Sequence, residues 1–439
     1  MSHSATKSFT AIAVMFALAE GRFALDDTMV SFFPHEVPPD ASDNLKAVKV
    51  RDLLTMRAGH ARPESSVEWR QTSKNWVRDY LRMPVAHQPG THFAYSGLHS
   101  HMLAAILQKA TGQAVEYYLR PRLFDPLGID GFSWDVDPQG ITIGGNRLSL
   151  KLEDFAKFGL FCHQRGRWNG EQLLPEKWVV EATSAQVNDV LPPAAVLFNL
   201  DPESQPRLSY GYQFWLDPQG SYRASGMFGQ HAIVVPQHDL VVAVSAATDL
   251  LGADETLRIL FKELVPALEP APAPFTSKDM DRLSKRLGEL RVVPEVRASE
   301  PSPVAATISG KWYRADPNED GIEALKFDFC DAHCIVTVRD GRGDHHVLVG
   351  LKGWIESKTT ITSWRVHRGY DPSIMAVLAS GAWGHPSDFV MTWCFLEFAF
   401  RDTVRCRFDA DTVAFDRSVN LNMGSTQRPT VTARSDRET

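Results

Sequence analysis

Apolar positions early in the chain repeat with a helical spacing. Phe9, Ile12, Ala13 and Phe16 recur at i, i+3, i+4 and i+7, one face of an amphipathic helix that is expected to end near Gly21. Residues 101–112 (HMLAAILQKATG) predict a second helix, closed by Gly112 because glycine takes the left-handed turn after a helix without strain. Residues 152–164 and 175–183 predict two more, with Pro175 suited to a first turn whose N–H has no partner to lose. Short β-branched and aromatic runs then predict strands over 210–216, 222–224, 231–235 and 240–246, with turns at 217–220 and 236–239. Strands joined by so few residues must be antiparallel, since a parallel pair needs a long crossover. With a closing helix over 254–264, residues 1–268 read as an α+β domain, an antiparallel sheet with flanking helices.

The pattern changes after Leu268. Pro-rich EPAPAPF, a short charged helix over 278–290 and the segment VPEVRASEPSP make residues 269–303 a linker. Beyond it, aromatic and β-branched residues alternate between Gly/Asp turns at 340–343 and 409–411, which predicts an all-β domain over 304–424, sandwich or barrel. Its tryptophans (Trp312, Trp354, Trp364, Trp383 and Trp393) are either core or the lining of a ligand groove, and strand tryptophans favour core. The polar residues 425–439 read as a frayed tail.

Composition narrows the class. A chain of 439 residues, 44% hydrophobic and 23% charged, is globular and has two or three domains. Its net charge of −7 argues against nucleic acid or an anionic membrane as partner, because both reward a basic surface. The apolar run 9–18 is about half of a membrane span and lacks the basic flank and cleavage site of a signal peptide. The chain as written is therefore expected in the cytoplasm, with secretion open only to a form that starts upstream. Five scattered cysteines fit buried free thiols in a reducing compartment. Cys330-x-x-x-Cys334 with His333, His345 and His346 misses the usual zinc spacings, so no metal and no cofactor is expected.

Three segments carry candidate chemistry. Ser4-Ala5-Thr6-Lys7 is the only Ser-x-x-Lys in the chain. Three apart at a helix start, the two side chains share a face. The serine meets the positive end of the helix dipole and free N–H groups that can hold an oxyanion. A lysine kept neutral by desolvation and nearby positive potential can take the hydroxyl proton. The plainer alternative is Ser4 as a helix cap and Lys7 as a solvated first-turn residue. Tyr95, in Tyr95-Ser96-Gly97, precedes the second helix; a loop tyrosine beside an ammonium can pass a proton from nucleophile to leaving group, or simply be half-buried. Gly226-Met227-Phe228-Gly229-Gln230 opens the strand over 231–235. Glycines there admit a substrate, and the N–H of Gln230 is a second oxyanion donor, unless the segment is only a tight turn.

In this order the three segments resemble the superfamily of serine β-lactamases, penicillin-binding proteins and related esterases. HSATKSFTAIAVMFALAEGRFALDD looks like its nucleophile helix, and VKVRDLLTMRAGH like the segment that follows. QPGTHFAYSGLHSHMLAAILQKATG is similar to its tyrosine loop and helix; LRPRLFDPLGI and YGYQFW (210–215) also fit. SGMFGQHAIVVPQHDLVVAV looks like its third motif. The resemblance spans about residues 4–268, and the β remainder resembles domains appended to some members. It implies that Ser4 is acylated, that Lys7 is the base and that Tyr95 relays the proton. Backbone N–H groups of Ser4 and Gln230 would form the oxyanion hole, with Gly229, Phe228 and Met227 beside the substrate.

Three departures shape the expectation. Gly97 stands where the second motif usually has Asn or Ser, and Met227 stands at the usual cation of the third. Without that cation nothing there pairs with the carboxylate of a β-lactam or peptide terminus. The expected activity is that of an esterase or amidase acting through an acyl-enzyme on a neutral or bulky small-molecule ester or amide. The alternatives are a non-catalytic ligand-binding or regulatory protein on the same scaffold, and a β-lactamase or DD-peptidase. Lastly, family members carry strands before the serine, whereas Met1, Ser2 and His3 reach at most about 11 Å. The expectation is a start inside a longer gene or a truncated, inactive form with an exposed apolar sheet edge.

Overall fold

The structure, a computed structural model, describes residues 1–62, 72–192, 195, 200–248, 255–268, 276–292, 302–361, 367, 374–422 and 425–435. Two compact units divide it, Met1–Pro266 and Ala267–Thr439.

The first unit is built around the helix Thr6–Ala19. Its sequence has one charged residue, Lys7, and every residue from Thr6 to Leu18 is buried. The expected amphipathic helix is thus a central one, apolar on all sides, as a helix enclosed by its domain must be. Phe9 stacks on Phe158 of the helix Leu152–His163 at 3.8 Å between centroids. The helix Gly97–Thr111 packs alongside and ends at Gly112 with φ 73°. It begins earlier than the apolar pattern indicates, because the Ser96 hydroxyl accepts the Leu98 N–H at 3.2 Å and caps it. The residues expected at 175–183 form the helix Glu176–Ala182.

The sheet of this unit has six antiparallel strands in the order Leu240–Ser245, Gln230–Val235, Tyr222–Gly226, Trp215–Leu216, Leu208–Tyr210 and Val187–Val190. The single strand expected over 210–216 is broken, because Gln213 between its two halves is left-handed at φ 65°. The closing helix is described from Glu255 and widens into a π turn at Leu260–Leu264.

The second unit opens with the charged helix Ser277–Glu289, whose capping box pairs Thr276 with Asp279. The flanking Pro-rich residues of the expected linker, 269–275 and 293–301, lie outside the described residues. A ten-stranded sheet follows and closes as a barrel through a parallel bridge between Gly350 and Ser380. Phe327, Val336, Trp393, Val404 and Phe415 are among its buried residues. Trp383 is buried too, Trp312 and Trp354 are half-buried, and Trp364 lies outside the described residues. The frayed tail expected over 425–439 is corrected: Val431–Ser435 is a strand between Trp312–Ala315 and Thr412–Val419. Its polar composition hides an alternation that buries only Val431 and Ala433. Among the described residues, no helix is long and apolar enough to cross a membrane.

Candidate active site

Ser4 sits in a 3-10 turn, His3–Ala5, that runs into the central helix. The chain enters through His3, left-handed at φ 48°, a conformation costing a non-glycine residue about 1–3 kcal/mol. Surrounding bonds hold it. The Ser2 N–H and hydroxyl both donate to the Leu148 carbonyl at 2.8 Å, and the Leu148 N–H donates to Thr6 Oγ1 at 3.2 Å. The His3 ring meets Phe228 edge-on at 5.2 Å, and Phe228 is itself left-handed at φ 64°.

One turn along, Lys7 is 3% exposed. Its Nζ lies 3.0 Å from Ser4 Oγ, donates to the Gly145 carbonyl at 2.7 Å and stands 4.9 Å from the centroid of the Tyr95 ring. Neither helix start has a side-chain cap and Lys7 is not solvated, so the plainer alternative for the pair is not what the structure shows. Burial pushes the Tyr95 phenol up to about 12, against hydrogen bonds with Ser4 and Trp215 that pull the other way. Lysine and tyrosine thus converge on one hydroxyl. Beside them stands an aromatic wall: Tyr95 is 5.4 Å from Trp215, Tyr210 is 4.8 Å from Trp215, and Phe93 is 5.3 Å from Tyr210.

The third sequence element borders the serine from the sheet. The His3–Ala5 turn packs against both Tyr222–Gly226 and Gln230–Val235. A Cβ on Gly226 would lie 2.1 Å from the Ser2 carbonyl oxygen, so only glycine lets the strand end lie against the turn that carries Ser4. Gln230 pairs with Gly226 and is buried, its side chain donating to the Ala246 carbonyl at 2.6 Å and accepting from Ser245 at 2.9 Å. Met227 is half-buried, and Gly229 is left-handed and buried.

Other contributors went unread in the sequence. Gly144 and Gly145 thread between the central helix and Gly97–Thr111; a Cβ on either would meet a carbonyl, Ser100 at 2.3 Å or Gly97 at 2.4 Å. The paired glycines were the available signal. His60 and His99 are buried with Nδ1 and Nε2 3.3 Å apart. Burial lowers His60 to about 4; burial, then His60 and Lys7, hold His99 well below the usual imidazole range. Both shifts favour the neutral imidazole. Two histidines 39 residues apart give no sequence signal of such a pair.

A serine at the mouth of a helix buried from Thr6 to Leu18, flanked by an antiparallel sheet, defines a β-lactamase/transpeptidase-like fold, here with a separate C-terminal β-barrel. The chain belongs to the Beta-lactamase family, whose model matches residues 2–265. It is 24% identical over 261 residues to an uncharacterized protein of Alkalihalophilus pseudofirmus, covering 54% of this chain and 70% of that one. It is 27% identical over 128 residues to protein flp of Staphylococcus aureus, covering 28% of this chain and 26% of flp. Among solved structures it is similar to a putative 6-aminohexanoate-dimer hydrolase from Bacillus anthracis, at 17% identity over 61% of this chain and 73% of that one, with a TM-score of 0.47. It is also similar to an octameric penicillin-binding protein homologue from Pyrococcus abyssi, at 14% identity over 98% of this chain and 87% of that one, with a TM-score of 0.46.

Proposed function

We propose that the protein is a serine hydrolase that cleaves uncharged, apolar esters or amides through an acyl-enzyme on Ser4. The observation that carries this is the meeting of the Lys7 amine and the Tyr95 phenol at the Ser4 hydroxyl. The Lys7 amine takes the hydroxyl proton as Oγ attacks the substrate carbonyl carbon. The backbone N–H groups of Ser4 and Gln230 hold the resulting oxyanion. The proton passes through Tyr95 to the leaving alcohol or amine, the C–O or C–N bond breaks, and water then hydrolyses the acyl-enzyme by the reverse relay. Met227 in place of a cation and the aromatic wall of Phe93, Tyr210 and Trp215 favour a neutral, apolar substrate over one bearing a carboxylate.

A fluorophosphonate probe is expected to label Ser4, and Ser4→Ala to abolish turnover of a short-chain aryl ester. Undiminished hydrolysis by the Ser4→Ala protein refutes the acyl-enzyme, and acylation by a β-lactam in preference to the ester refutes the substrate class.

A further inference from the structure

We propose that Gln213 is a positioning residue that sets the spacing between the turn and helix bearing Ser4 and Lys7 and the segment bearing Tyr95; this rests on the acyl-enzyme reading above. Gln213 is 2% exposed and left-handed, and it bonds to three segments that are far apart in the chain. Its main-chain carbonyl accepts the Ser8 hydroxyl at 2.6 Å, beside Lys7. Its Oε1 accepts the Ser100 hydroxyl at 2.5 Å, in the first turn of the helix that follows Tyr95. Its Nε2 donates to the carbonyls of Leu53 and Leu54, at 3.1 and 3.0 Å.

Each bond has a reason to be there. Leu53 and Leu54 end the helix Val50–Leu54, where carbonyls have no partner within the helix, so the amide acts as a side-chain cap. Two residues on, Met56 holds the other side of the tyrosine: its carbonyl accepts the Ala94 N–H at 2.8 Å and its sulfur the Ser96 N–H at 3.4 Å. Tyr95 lies between those two anchors, and Ser100 ties the helix beyond it to the same amide. Only an amide supplies one acceptor and two donors at this point. A carboxylate would face two carbonyl oxygens, and a thioether would leave Ser100 and Leu54 without this buried partner and Leu53 with the Met56 N–H alone.

Because these bonds join the elements that carry the reacting groups, their loss acts on the transition state. A misplacement of about 1 Å costs on the order of 100-fold in rate. Gln213→Met is expected to lower kcat for the aryl ester about 100-fold with KM within twofold. Ser100→Ala, which leaves the backbone at 213 untouched, is expected to lower it about tenfold, and Ser100→Thr to restore it. The double variant Gln213→Met/Ser100→Ala is expected to be no slower than Gln213→Met, since both remove one linkage. Crystal structures of wild type and Gln213→Met read the spacing directly, with Tyr95 drawn away from the Ser4 hydroxyl in the variant. An unchanged Ser4–Tyr95 contact in that structure overturns the proposal whatever the turnover, as do wild-type kcat values in both folded variants or a rise confined to KM. If the wild-type protein takes no probe and turns over no ester, the hydrolase reading falls, and the two crystal structures still decide whether Gln213 sets the spacing.

Discussion

Gly226→Ala isolates the joint between the sheet and the turn that carries Ser4. The backbone at Gly226 is not left-handed, so alanine adds a methyl group and no conformational strain. That methyl would lie 2.1 Å from the Ser2 carbonyl oxygen, where Cβ atoms are essentially never found below 3.0 Å; the gap must open by 3.0 − 2.1 = 0.9 Å. It cannot turn aside, because Gln230 Cβ and His3 Cβ each stand 3.2 Å away. The turn that carries Ser4 has to move instead. Overpacking of this kind costs about 1–3 kcal/mol of stability. A shift near 1 Å costs roughly 100-fold in rate, or about 2.7 kcal/mol of transition-state stabilisation. The assay compares kcat/KM for an aryl ester and the rate of fluorophosphonate labelling with the Tm of the same protein. Gly21→Ala is the control: Gly21 has φ 65° and nothing within 4 Å of its added Cβ, so alanine there costs on the order of 1 kcal/mol of stability and leaves labelling unchanged. Labelling of folded Gly226→Ala at the wild-type rate would show that the strand end does not position Ser4.

Acid should destabilise the first unit through its buried histidines. His60 has a folded value of about 4 against 6.5 for the free side chain, so stability present above pH 6.5 is lost as pH falls towards 4, by about 3 kcal/mol. His60→Gln should flatten the fall in urea midpoint between pH 7 and 4 but not abolish it, because His231, at about 3, acts in the same direction. In the barrel, burial pushes the Asp402 carboxyl up, yet Arg417 and His367, at 2.7 and 3.0 Å, hold it below the usual carboxylate range. Asp402→Asn strands the buried guanidinium and should cost about 3–5 kcal/mol in the tryptophan-detected unfolding of that unit; a loss under 1 kcal/mol contradicts the pairing. Met227→Lys should raise kcat/KM for a carboxylate-bearing ester about tenfold over its neutral analogue; equal effects on both would place residue 227 away from the acyl group.

Local repeats made most of the fold legible. Gly112 closes its helix as its place after the apolar run indicates, and the short turns at 217–220 and 236–239 enforce antiparallel pairing. What the repeats misjudge is the environment. Phe9, Ile12, Ala13 and Phe16 mark an apolar face, but Ala11, Val14, Met15 and Ala17 make the remaining faces apolar too, so a helix read as half-exposed lies at the centre. Gln213 breaks a strand for the complementary reason. Its neighbours favour extended backbone, and its bonds to Ser8, Ser100, Leu53 and Leu54, all distant in sequence, outweigh that preference.

The same division runs through the candidate site. Ser4 and Lys7 stand three apart where a 3-10 turn runs into the central helix, so their meeting at 3.0 Å follows from local geometry and is legible in four letters. Tyr95 reaches the same hydroxyl across 91 residues of chain, and no spacing rule supplies that contact. It depends on residues whose letters look ordinary: Gly144 and Gly145, which let the loop under Lys7 pass between two helices; Gly226, which lets the sheet touch the turn; and Gln213, which ties three segments. Such residues matter because the central helix has no solvent face on which to adjust. A helix enclosed on all sides transmits each neighbour's displacement to the serine at its mouth, since a close-packed interior has no slack to absorb it. The candidate residues are therefore legible in a few local motifs, and their arrangement rests on scattered small or polar residues that only the folded chain brings together.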